Sequence, residues 1–89
     1  MSNNTELTQI FTEMAAILEL TGANRFRVNA HTRVARVLKD LVSDVGTIPA
    51  DDLTDIEGIG AGSAKKITEF LETGNVEEHL ELKSSIPAG

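Results

Sequence analysis

Residues 53–73 read Leu-Thr-Asp-Ile-Glu-Gly-Ile-Gly-Ala-Gly-Ser-Ala-Lys-Lys-Ile-Thr-Glu-Phe-Leu-Glu-Thr. At the centre, Gly58-Ile59-Gly60 sets two glycines around one β-branched residue, which suits a tight turn where glycine takes φ > 0. A helical pattern follows, with Ala64, Ile67, Phe70 and Leu71 on one face. A shorter one precedes it and ends near Asp55. The expected arrangement is helix, glycine hairpin, helix. The first N–H groups of the second helix have no intrahelical partner. Glycines there let a phosphate approach those groups closely and meet the positive end of the helix dipole. No acidic side chain lies between Gly58 and Lys66, and Lys65 and Lys66 are both basic. The stretch points to a binder of phosphate backbone.

Its spacing is that of the helix-hairpin-helix DNA-binding motif: apolar-x-Gly-apolar-Gly, a small residue four positions on, then an apolar one. Ile56, Gly58, Ile59, Gly60, Ala64 and Ile67 fill those places. A helix–helix corner used only for packing also takes glycines in its turn. Open glycines at a helix start favour the phosphate reading.

The chain has 89 residues, enough for one small domain with a single modest core. It has no cysteine, hence no disulfide framework and no thiolate metal site. His31 and His79 stand far apart, so a zinc site is not expected, and no cofactor is required. No apolar run approaches ~18 residues, and the N-terminus lacks a signal-peptide pattern. A cytoplasmic protein that does not engage membranes is the expectation. The formal charge of −6 argues against nucleic acid on its face. Its distribution argues the other way. Arg25, Arg27, Arg33, Arg36 and Lys39 occupy one acid-free window, and Lys65 and Lys66 the other. Local potential governs phosphate contact. A solvated basic helix face would look the same in sequence.

Outward from the hairpin, the periodicity is helical throughout. Asn4 or Thr5 can cap a first helix, with residues 1–4 loose and Leu7, Ile10, Phe11, Met14, Ile17 and Leu18 forming its core stripe. Gly22 is placed to end it in the left-handed conformation. Asn24 can cap a second helix running to Leu41 or Val42, with Phe26, Ala30, Val34, Val37, Leu38 and Leu41 inward. Arg27, His31, Arg33 and Arg36 then lie off the centre of the stripe. After a connector at 43–49 comes a short third helix, about 49–55, then the hairpin and a fourth helix, about 61–73, stopped by Gly74. Asn75 and Glu78 are spaced as a capping-box pair for a fifth helix using Val76, Leu80 and Leu82. Residues 84–89 read as a tail or linker. The predicted fold is all-α: a compact bundle of four to five short helices in one domain, 1–89, containing one helix-hairpin-helix motif.

Asn24-Arg25-Phe26-Arg27-Val28-Asn29-Ala30-His31 resembles the second-helix start of microbial family X DNA polymerases, typically Asn-Pro-Phe-Arg-x-x-Ala-Tyr. Leu53–Gly74 is similar to their Leu-Thr-x-Leu-Pro-Gly-Ile-Gly-x-Gly-x-Ala-x-Lys-Ile … Leu-x-Thr-Gly, and Glu81–Gly89 resembles the linker into their next domain. The resemblance spans roughly residues 5–89 and is to the N-terminal domain, a helical fold like that of DNA polymerase beta. The polymerase palm is not in this chain. The resemblance implies DNA as partner, gapped or 5′-phosphorylated and without sequence preference, with further polymerase domains if this is a fragment. It implies a monovalent cation, Na+ or K+, on the backbone carbonyls of Thr54, Ile56 and Ile59. In several members the domain also removes a 5′-deoxyribose phosphate through a lysine Schiff base, and the matching position is Lys66.

At ~100° per residue, Lys66 lies at the border of its helix's apolar face, beside Ser63 and Phe70, while Lys65 points further out. A border position suits a partly desolvated amine, as it suits a lysine laying its stem on Phe70. Ala61 stands where the family often has lysine, His31 where it has tyrosine, Thr32 where it has arginine and Glu57 where it has a hairpin proline. Glu77 and Glu78 open the fifth helix, where the polymerase beta branch is basic. The leading reading is a DNA-binding module, a DNA-repair function using Gly58, Ile59, Gly60, Gly62, Lys65, Lys66, Arg27, His31 and Arg33. A lyase with Lys66 as nucleophile is the second. A protein-interaction domain that has lost its DNA face is the third.

Overall fold

A computed structural model describes residues 3–86. Helix α1 covers Asn3–Leu20, α2 Arg25–Asp40, α3 Ala61–Thr73 and α4 Glu77–Ser84, with short 3₁₀ turns at Val45–Thr47 and Ala50–Asp55 between α2 and α3. Every regular element among the described residues is helical. The all-helical expectation holds, and the element before the hairpin is a 3₁₀ turn. It closes with Asp52 N–H on Pro49 O and Ile56 N–H on Leu53 O. Six residues anchored by one buried side chain, Leu53, fit this tighter form.

Helix α1 forms as its stripe predicts. Leu7, Phe11, Met14, Ile17 and Leu18 are buried, and Ile10 is half-buried. Its start differs from expectation. Asn3 and Asn4 are helical and hold the first 3₁₀ turn: Asn4 donates to Ser43 O and accepts from Val45 N–H, while Asn3 donates twice to the Asp44 carboxylate. Gly22 ends the α1 turn at φ +78 and Gly74 ends α3 at φ +83. The Asn24 side chain caps α2 through Phe26 N–H at 2.7 Å.

The inward face of α2 is rotated from the one expected by most of a residue step. Val28, His31, Val34, Ala35 and Leu38 are buried, whereas Phe26 is 85% exposed and Ala30 is open. His31 is therefore in the interior, its ring 5.8 Å from that of Phe11. On α4 the expected Leu80 is exposed, and His79 is buried against α1, Nε2 lying 2.8 Å from Glu13 Oε1. Val76 is in the core. The Asn75–Glu78 capping box does not form. The start of α4 is capped from α3 instead, Glu69 Oε2 accepting from Glu77 N–H at 2.9 Å. Ser84 is still helical; the last three residues of the expected tail lie outside the described residues.

One core unites these elements. Leu7, Phe11, Met14, Val34, Leu38, Leu53, Ile59, Ile67, Phe70 and Val76 pack together, each of the larger side chains contributing about 1.5–3 kcal/mol by leaving water. Ile59 puts the hairpin into this cluster. The turn is thereby fixed relative to α2.

Candidate nucleic-acid interface

The two glycines at the hairpin's tip serve different ends. Gly58 has φ +98, and a Cβ there would lie 2.8 Å from Val37 Cγ2 and 3.3 Å from Arg33 Cγ. Only glycine permits this backbone conformation at low cost, and only glycine lets the turn sit on α2. Gly60, the residue before α3, has φ −89 and ψ 179, which any residue adopts. A Cβ at Gly60 or at Gly62 would meet nothing within 4 Å beyond its chain neighbours and the backbone of its own helix. The fold thus demands Gly58 and leaves Gly60 and Gly62 bare on the outside. No side chain caps α3, whose first N–H groups have no intrahelical partner.

A groove of about 540 Å³ runs between this helix start and α2. Gly58, Ile59, Gly60, Gly62, Arg27, His31, Arg33 and Lys66 all line it, so the structure gathers eight of the nine residues proposed from sequence for DNA contact. Ile59 as a whole is only 3% exposed, so it supports the groove from the core and gives it little surface. Lys66 is half-buried, and Lys65 is exposed on another flank of α3, near Glu69, Glu72 and Glu77. The basic window of α2 divides in the same way. Arg27 and Arg33 face the groove, while Arg36 and Lys39 line a depression between α1 and α2 on another side.

Sequence reasoning missed the role of Glu78, which enters the groove from α4. Its Oε2 lies 2.8 Å from an Arg27 terminal nitrogen and its Oε1 lies 2.7 Å from His31 Nε2. His31 Nδ1 lies 2.8 Å from the Arg27 carbonyl oxygen. Both ring nitrogens thus face oxygen. Burial alone would raise the Glu78 carboxyl. The hydrogen bonds from Arg27 and His31, with the charges of Lys66 and His31 nearby, outweigh it and hold the group below the usual range. The acidic opening of the fifth helix was legible in sequence. Its reach across 51 residues to Arg27 was not.

Among the carbonyls that could hold a monovalent ion, that of Ile56 accepts Ile59 N–H at 3.0 Å, which closes the turn and leaves one lone pair. No group of three or more His, Cys, Asp or Glu among the described residues could hold a metal ion. No helix among them is long and apolar enough to cross a membrane.

The DNA polymerase/3'-5' exonuclease PolX of Bacillus subtilis (strain 168) is 27% identical over 84 residues, which is 94% of this chain and 14% of that protein. The chain therefore spans a small part of its relative's length, and the likeness extends the resemblance to family X DNA polymerases across nearly all of it. The helix-hairpin-helix domain family matches residues 2–76, and the chain belongs to that family.

Proposed function

We propose that this domain is a DNA-binding module of a family X polymerase-like repair protein. It holds DNA phosphates on the hairpin amides at Gly58, Gly60 and Gly62, with Arg33, Arg27 and Lys66 around them. The observation that carries this reading is the pair of bare glycines. Gly60 and Gly62 have open space where a Cβ would be, at an uncapped helix start inside a groove lined by cations. A phosphate needs that access, and nothing inside the fold does. Main-chain N–H groups and lysines carry little base information, so binding is indifferent to sequence. Lys65, on the flank, adds long-range attraction. The groove would take the phosphate at the 5′ side of a gap on Arg27 and Lys66 only in exchange for the Glu78 carboxylate that now holds Arg27, and Na+ or K+ on the Thr54, Ile56 and Ile59 carbonyls would add positive charge beside the hairpin amides. The acidic remainder of the chain makes the interaction weak and steeply salt-dependent.

Titration of the domain with gapped duplex at two salt concentrations tests this. Binding that falls with salt supports it. No binding at low salt favours a protein-interaction domain.

A lyase role draws on one observation, the placement of Lys66 half-buried in the same groove. Neutral Nζ would attack the aldehyde carbon of an incised abasic sugar. Water would leave as the Schiff base forms, and β-elimination would break the bond to the 3′ DNA.

A further inference from the structure

We propose that Glu78 is a built-in competitor for a terminal 5′-phosphate, so that it sets which DNA ends the groove accepts. The inference rests on the DNA-binding reading and adds a specificity to it. Glu78 presents two anionic oxygens to Arg27 and His31 at 2.8 and 2.7 Å. These are the groups that a phosphate monoester in the groove would use, and Lys66 lines the same space. The Arg27 terminal nitrogen and the His31 Nε2 lie in fixed directions around one anion. A second anion cannot take them while the carboxylate stays.

The carboxylate can leave without unfolding α4. The helix is held by Val76 in the core, by His79 on Glu13 at 2.8 Å and by Glu77 N–H on Glu69 at 2.9 Å. None of these contacts uses the Glu78 side chain. Exchange therefore needs a rotation of one side chain, after which its charge must be placed in water. An internal phosphodiester on the Gly60–Gly62 amides carries one negative charge and need not reach Arg27. A terminal phosphate carries up to two, and the groove's further cations for the second are Arg27 and Lys66. The wild-type domain then takes continuous backbone readily and gains little from a 5′-phosphate.

The test compares the wild-type chain with Glu78→Gln and Glu78→Ala. Affinity for a gapped duplex is measured with a 5′-phosphate and with a 5′-hydroxyl at the downstream end. Glu77→Gln serves as a control that removes the same charge from the adjacent, exposed position. Circular dichroism confirms folding, and either Glu78 variant suffices if the other fails to fold. The expected phosphate-to-hydroxyl affinity ratio is within about twofold of unity for wild type and for Glu77→Gln. It rises to about fivefold or more for Glu78→Gln or Glu78→Ala. An unchanged ratio with DNA binding retained overturns the role of Glu78 and leaves the binding reading standing. An equal rise in Glu77→Gln reduces the effect to net charge and also overturns it. Failure of every folded variant to bind either DNA overturns the binding reading and this inference with it.

Discussion

Gly58 lies against Val37 so closely that a Cβ on the glycine would come within 2.8 Å of the valine Cγ2. This contact seats the hairpin on α2 and lays it along the stem of Arg33. Gly58→Ala should therefore destabilise the domain by about 1–3 kcal/mol, through the left-handed backbone and the clash. Gly60→Ala should be nearly neutral. Gly62→Ala should be neutral or stabilising by up to about 1 kcal/mol, because it removes glycine from a helix. Urea denaturation of the three variants checks this ranking.

Asn4 ties the start of α1 to the turn after α2. Its amide donates to Ser43 O at 2.8 Å and its carbonyl accepts from Val45 N–H at 2.7 Å, with the side chain largely buried. Asn4→Ala leaves both backbone groups without that partner, and a cost of about 1–3 kcal/mol is expected. Asn4→Asp should recover part of it by keeping the acceptor for Val45 N–H. Thermal and denaturant midpoints decide.

Acid should weaken the fold through two carboxylates. Asp44 is held below its ordinary range by the N–H of Gly46, then by the side chain and N–H of Asn3. Glu78 is held low by Arg27 and His31 against the effect of burial. Both groups bind protons less readily folded than unfolded. Their stabilisation is complete above the ordinary carboxylate range of about 4 and is lost as pH falls through the lower folded-state values. Melting temperature should hold from neutral pH to about pH 5 and then decline. Asp44→Asn and Glu78→Gln should each flatten the decline.

If Lys66 acts as a nucleophile, borohydride in the presence of incised abasic DNA should trap a covalent complex. Lys66→Ala should lose it and Lys65→Ala should keep most of it, since Lys65 lies outside the groove. Equal trapping in Lys66→Ala would assign the reaction to another amine.

The core stripe of α1, the Asn24 cap and the left-handed stops at Gly22 and Gly74 were legible because each depends on residues within a few positions. The face of α2 was not. His31 completes the buried set with Val28, Ala35 and Leu38 at helical spacing, but a histidine in an apolar stripe reads as polar until its partner is known. That partner, Glu78, is 47 residues away. The capping box failed for the same reason, because Glu78 is better satisfied by Arg27 and His31 than by a backbone N–H. The basic residues cluster in sequence, yet a helix shows its charges on several faces, so Arg36 and Lys39 part from Arg27 and Arg33. The unlike roles of Gly58 and Gly60 needed the position of Val37, which spacing along the chain does not contain.

The most direct test of the central claim is the affinity of Gly60→Val for gapped duplex at low salt, beside the wild type. Valine is compatible with the extended backbone at residue 60 and has open space for its Cβ, so the domain should fold with an unchanged melting temperature. Its two methyl groups would stand where the phosphate must come. DNA affinity should fall about tenfold or more, alike for unrelated sequences. A folded Gly60→Val that binds DNA as tightly as the wild type would contradict it.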